Sequence, residues 1–263
     1  MLVFSSICPH PPLLIPEIGK ENIKQVKKTQ KAMKELEQIF YARKVDSVVI
    51  ISPHQDLIPD AFAINLAEKF EVNFKEFGDF STRLSFKSNI SFAHRLKERL
   101  EDHRFPSVLI NKNNLDHGSG LPLYYLTPHY ENLPITPISF SLMDLKTQYD
   151  FGKIISDEIH HTNERIAVIA SGDLSHRLTE SAPAGYSPRG KEFDKKLIEH
   201  LQKKETDKII KMDPVLIEEA GECGLRSIII LLGVLNRKKY NVDILSYEGP
   251  FGVGYLVANF PLQ

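Results

Sequence analysis

Val45-Asp46-Ser47-Val48-Val49-Ile50-Ile51-Ser52-Pro53-His54-Gln55-Asp56 is the stretch on which the fold turns. Ser47 to Ile51 is a short apolar run rich in β-branched residues, the pattern of a strand buried on both faces. Pro53 has no N–H for a sheet ladder, so the strand is expected to end there and leave His54 at its tip. In open α/β sheets, ligands bind outside the carboxyl ends of the strands. Three further stretches share the design, and each delivers a histidine after a strand. Leu2 to Ile7 leads to Cys8-Pro9-His10-Pro11-Pro12, and Arg165 to Ala170 leads to Ser171-Gly172-Asp173-Leu174-Ser175-His176. Ser107 to Ile110 leads through a polar loop to Asp116-His117-Gly118.

The 263 residues suit one α/β domain over positions 1–263, with a composition 42% apolar and 25% charged. The formal net charge of −1 gives no basic field, which argues against nucleic acid as a partner. Cys8 and Cys223, the two cysteines, cannot make a disulfide framework, and a reducing cytoplasm is the expected location. No apolar run approaches the roughly 20 residues that span a bilayer, so no membrane contact is expected. The N-terminal stretch lacks the basic segment of a secretory leader.

Between the tips, apolar residues at Ile23, Val26, Met33, Leu36, Ile39 and Phe40 recur at helical spacing, predicting a core-facing helix over 21–42. With the strands on either side it forms a βαβ unit that should cross over right-handed. Ala61 to Phe86 alternates in short runs and reads as a small antiparallel insertion. Helices are expected at 91–100, 121–126, 149–159, 191–202, 206–211 and 227–235, and a strand at 135–140. Two last strands, at 242–246 and 253–258, are expected at a sheet edge. The fold class is α/β, a single domain with a central, mostly parallel sheet flanked by helices.

Position separates the ten histidines. His94, His103, His160, His161 and His200 lie on or beside charged helical stretches, where a solvated residue is the ordinary reading. His129 follows Pro128 near a loop and is a candidate to line a substrate cleft. His10, His54, His117 and His176 converge on one sheet edge, which points to a metal with its acid–base machinery, because imidazole is both a metal ligand and a group that titrates near neutrality. His10 and His54, each one residue beyond a proline-ended strand, form the best ligand pair. His117 and His176 sit in loops with Asp116 and Asp173 nearby and suit proton transfer. Those carboxylates either orient the rings or cap their loops, and Asp173 is also a candidate for substrate contact. A third ligand is needed, and Gly221-Glu222-Cys223-Gly224 offers two. Glu222 would complete two histidines and a carboxylate, the arrangement of non-haem Fe(II); Cys223 would suit zinc or copper as well as iron.

Pro53-His54, Leu115-Asp116-His117-Gly118, Ser171-Gly172-Asp173-Leu174-Ser175-His176 and the early Pro9-His10-Pro11 resemble, in that order, the class III extradiol ring-cleavage dioxygenases of catalytic B-subunit type, together with the related Memo-like proteins. The resemblance covers most of the chain. It implies a phosphorylase/hydrolase-like α/β fold and one Fe(II). His10 and His54 match the histidine ligands, His176 the catalytic base, and His117 a histidine that contacts substrate and aids proton transfer. Ring-cleaving members take a glutamate as third ligand, which here would be Glu222; Memo-like proteins carry a cysteine there, which is Cys223.

The activity so implied is opening of a catechol-type ring with dioxygen, the partners being a small aromatic substrate, dioxygen and, in many members, a second copy in a homodimer. Two alternatives stand beside it: a Memo-like metal-binding or redox protein without ring cleavage, and a zinc-dependent hydrolase on the same fold. Arg177, Arg189 and Arg226 are the arginines available for a substrate carboxylate.

Overall fold

The structure, a computed structural model, describes residues 1–263. Ten strands form one mixed sheet: β1 (Leu2–Cys8), β2 (Ser47–Ser52), β3 (Phe62–Asn65), β4 (Lys69–Phe74), β5 (Asp79–Ser88), β6 (Ser107–Ile110), β7 (Pro134–Ser139), β8 (Ile166–Ser171), β9 (Asp243–Glu248) and β10 (Tyr255–Asn259). The helices are α1 (Pro16–Gly19), α2 (Lys27–Ala42), α3 (Ile90–Asp102), α4 (His117–Leu126), α5 (Leu145–His160), α6 (Pro188–Gln202), α7 (Thr206–Ile210), α8 (Pro214–Ala220) and α9 (Leu225–Val234). None is long and apolar enough to cross a membrane.

The centre of the sheet is parallel, in the order β7-β2-β8-β1. Its registers pair Ser52 with Ser139, Ile51 with Ala170, and Cys8 with Ser171, so the carboxyl ends finish level along one edge. Both faces are covered, as the unbroken apolar runs require. Along β2, Val49 and Ile51 enter a core shared with α3, α5 and α9, while Val48 and Ile50 enter a second core shared with α2 and α4. The alternation is the two-residue period of a strand.

Outside this centre the sheet is antiparallel at one side, through β10 and β9. At the other side it forks. The outer edge of β7 pairs with β5 near Pro134 and Ile135, and with the antiparallel β3 near Ile138 and Ser139. The expected antiparallel insertion is the β4–β5 hairpin.

Three expectations shift. The predicted βαβ unit is not a pair of neighbours, because β8 inserts between β1 and β2. The helix predicted over 21–42 is regular from Lys27, with Lys20–Val26 in tighter 3-10 turns. The helix predicted from Leu121 starts four residues earlier at His117, because Asp116 caps it, its side chain accepting from Ser119 N.

α5 and α9 pack at backbone contact. A Cβ at Gly152 would meet the Ile230 carbonyl oxygen at 2.0 Å, and one at Gly233 the Tyr149 carbonyl oxygen at 2.1 Å. α9 also packs on β8.

Candidate metal centre

The parallel register sets the tip of β8 between those of β1 and β2. His10, two residues past β1, and His54, two residues past β2, lean toward each other across it. Their Nε2 atoms are 3.0 Å apart and their rings meet edge to face at 4.8 Å between centroids. His10 is 2% exposed, whereas His54 reaches solvent.

Cys223 arrives from the loop before α9. Gly172 and Gly224 make this possible: a Cβ on Gly172 would lie 2.2 Å from Gly224 Cα. The Asp173 carbonyl accepts from Gly224 N at 2.9 Å and Cys223 N at 3.4 Å, which holds the loop against the β8 tip. Cys223 Sγ then lies 3.6 Å from His10 Nε2 and accepts from Asp173 N at 3.3 Å. The His10, His54 and Cys223 ligand atoms all fall within 4.8 Å of one another. Metal–nitrogen and metal–sulfur bonds of ~2.0–2.3 Å suit donors at such separations. Two imidazoles and a sulfur therefore fit one transition-metal ion.

Burial, with the charges of His54, His117 and His176, holds His10 well below the ordinary imidazole value, and burial with His117 lowers His54. Both rings are thereby kept neutral, as ligation requires. Burial, with the Asp173 and Glu222 carboxylates, pushes the Cys223 thiol well up.

His117 opens α4 beside this set. Its ring stacks on His54 at 4.4 Å and meets Phe77, from the β4–β5 turn, edge-on at 5.0 Å. Ser52, the last residue of β2, donates to Asp116 Oδ1 at 2.5 Å and accepts from His54 N at 3.3 Å, tying the two histidine-bearing segments together. His54, His117, Gln55, Phe77, Lys112 and Asp116 border a polar cleft of about 690 Å³.

His176 lies past the β8 tip, its backbone N bonded to the Ala220 carbonyl at 3.2 Å. Burial lowers its basicity, and its Nδ1 is buried without a partner in the protein.

Three further candidates have other neighbours. Glu222 lies two residues before the α9 N-cap Gly224, its Oε2 accepting from Leu225 N at 2.5 Å, and borders a separate cavity of about 950 Å³ with Arg226. Its oxygens stand outside the group of donor atoms formed by His10, His54 and Cys223. Burial pushes Glu222 up to about 7. Asp173 is buried against His10, its Oδ2 3.9 Å from His10 Nε2. Its Oδ1 accepts from His10 N at 2.9 Å, and burial pushes it up to about 7. His129 follows the far end of α4, roughly 15 Å of helix from His117; it is exposed beside Glu37 and Tyr41.

Ser52, Ser171, Gln55 and Phe77 belong to the site and were not singled out by the sequence. A serine closing an otherwise apolar buried strand is the one signal that marks Ser52 and Ser171.

The family model described as the catalytic LigB subunit of aromatic ring-opening dioxygenase matches residues 5–258. The chain belongs to that family. Among relatives of this LigB-family chain, Protein CA_C1420 of Clostridium acetobutylicum is 34% identical over 258 residues, which cover 95% of this chain and 55% of that one. The chain thus spans about half the length of that relative. The 3,4-dihydroxyphenylacetate 2,3-dioxygenase of Escherichia coli is 25% identical over 221 residues, 77% of this chain and 78% of that one. The 4,5-DOPA dioxygenase extradiol of Mirabilis jalapa is 26% identical over 159 residues, 57% of each. An uncharacterized Escherichia coli protein of known crystal structure superposes with a TM-score of 0.67 at 15% identity, over 98% of this chain and 99% of that one, and so shares the LigB-family fold.

Proposed function

We propose that this chain is a metal-dependent extradiol dioxygenase, opening the ring of a catechol-type substrate with dioxygen at a non-haem Fe(II) held by His10, His54 and Cys223. The observation that carries the reading is the 3.0 Å approach of the two histidine Nε2 atoms, beside a stacked third imidazole on an open cleft. When bound, the ion would supply a Lewis-acid anchor for the diol and electrons toward dioxygen.

The remaining work falls to the protein. His176, neutral and with a free buried Nδ1, is the base that takes the second diol proton. General base catalysis of this kind contributes roughly 10²–10⁴-fold. His117 presents its ring to the substrate between His54 and Phe77 and serves the second proton transfer. Asp173 fixes the His10 backbone, and Phe77 shields one wall of the cleft. A reducing compartment suits the centre, since it keeps Cys223 a free thiol.

The test is dioxygen uptake by anaerobically prepared, Fe(II)-loaded protein over a panel of catechols. Uptake with ring-opened product is expected, reduced roughly 10²–10⁴-fold in His176→Ala. Silence of the iron-loaded protein across the panel would overturn the reading.

A second reading is favoured by Cys223 in the donor set. A thiolate in place of a carboxylate suits zinc or copper as well as iron. The chain would then be a Memo-like metal-binding or redox protein, or a zinc hydrolase, without ring cleavage. Metal analysis of the protein as isolated separates these, because zinc at one equivalent with no uptake after iron loading selects them.

A further inference from the structure

We infer that Ser171 is a positioning residue of the metal centre, placed in that role by Pro122. It fixes which nitrogen of His10 carries the proton and so leaves Nε2 free for an ion. The inference rests on the proposed metal centre and concerns how one of its ligands is prepared.

The logic starts inside α4. Pro122 lies within the helix and has no N–H, so the carbonyl of Gly118, four residues earlier, lacks the donor that an α-helix would give it. Gly118 is buried, and a buried carbonyl without a donor is costly. The Ser171 hydroxyl, from the last residue of β8, fills the gap by donating to Gly118 O at 2.5 Å.

A serine hydroxyl has one proton and two lone pairs. With its proton committed to Gly118, Ser171 Oγ meets His10 Nδ1, 2.9 Å away, only as an acceptor. His10 must therefore donate from Nδ1. In a neutral imidazole the other nitrogen is then unprotonated. That nitrogen is the Nε2 lying 3.0 Å from His54 Nε2 and 3.6 Å from Cys223 Sγ. Turning the hydroxyl toward His10 would strip Gly118 of its donor, so one buried proton selects the tautomer. The same bond ties His10 to the first turn of α4, where His117 is the neighbour of Gly118.

Long-range ¹H–¹⁵N spectra of metal-free protein near neutral pH are expected to show His10 as the Nδ1–H tautomer; an Nε2–H pattern would overturn the inference. Ser171→Ala is expected to shift His10 toward Nε2–H and to weaken metal binding about 10–100-fold, read by competition with a chromophoric chelator for Zn(II) and Fe(II). Pro122→Ala restores an N–H to Gly118 and releases the Ser171 proton, so mixed tautomers and several-fold weaker binding are expected. Ser246→Ala removes a buried hydroxyl that has no partner and serves as the control, with unchanged binding expected. Equal affinity in Ser171→Ala and wild type would overturn the role. Wild-type protein that binds neither metal would defeat the metal centre instead. The wild-type tautomer is read without metal or variant and stands apart from both results.

Discussion

His10 Nε2 and His54 Nε2 stand 3.0 Å apart although their strands are not neighbours; they meet over the end of the strand between them. Removing one ring should leave the scaffold intact and the centre empty. His54 is exposed, so His54→Ala is expected to change folding stability by less than about 0.5 kcal/mol. Metal retained after dialysis, measured by elemental analysis, should fall well below one equivalent.

Glu222 and Cys223 are adjacent in sequence and divide their work. Cys223→Ala should lose the metal. Glu222→Ala should keep it while losing about 1 kcal/mol of stability through its hydrogen bond to Leu225 N, the first N–H of α9. Metal content and chemical denaturation of the two variants check this. A Glu222→Ala protein that purifies without metal would restore the carboxylate as a ligand.

Ligation must expel a proton from sulfur. Burial keeps the Cys223 thiol protonated, while the lowered basicity of His10 and His54 leaves both rings neutral at pH 7. Metal binding at pH 7 is therefore expected to release about one proton per ion. Calorimetry in buffers of different ionisation enthalpy reads that number, and a value near zero in wild type would mean that the Cys223 sulfur does not ligate.

Gly172 and Gly152 both lie at backbone contacts, yet only one serves the centre. Gly152→Ala should cost about 1–3 kcal/mol by forcing α5 from α9 and leave residual metal binding in the folded fraction. Gly172→Ala pushes on Gly224 and so on the Cys223 loop, and should cost metal affinity even where the protein is folded. Thermal denaturation beside metal titration distinguishes them.

Asp194 supplies a pH dependence away from the centre. It accepts from Ser175 N at 2.8 Å and Tyr247 OH at 2.6 Å, and burial raises it from 3.8 to about 6. The folded state therefore holds this proton more tightly than the unfolded chain. The stability so gained is fully present below pH ~4 and lost as pH rises through about 6, an effect of about 2–3 kcal/mol. The site histidines, lowered by burial, act in the opposite sense, and comparison with wild type at each pH cancels them. Tm should fall less between pH 4 and pH 7 in Asp194→Asn than in wild type.

The sequence shows the strands of this fold plainly, because a strand buried on both faces must be apolar throughout, as Val48 to Ile51 and Ile166 to Ala170 are. It also shows which histidines follow strand tips. It does not show strand order: nothing in β1 or β2 reveals that β8 lies between them, since that follows from packing α5 and α9 on one face. Which of Glu222 and Cys223 lies beside the two imidazoles is equally hidden. It depends on a glycine–glycine contact between Gly172 and Gly224, which are far apart in the chain. Proline and serine each have many uses, so Pro122 and Ser171 gain their meaning only from a carbonyl whose partner the fold removes.

The thiol and the first imidazole of the centre are separated by 213 positions along the chain. A polypeptide emerging from the ribosome would carry both histidines long before Cys223 is made. Such a chain could hold an ion only loosely, so tight loading becomes a report that synthesis has passed α9 and that α9 has docked. Once loaded, the ion would fasten the earliest strand to one of the latest helices, and its release should precede their separation.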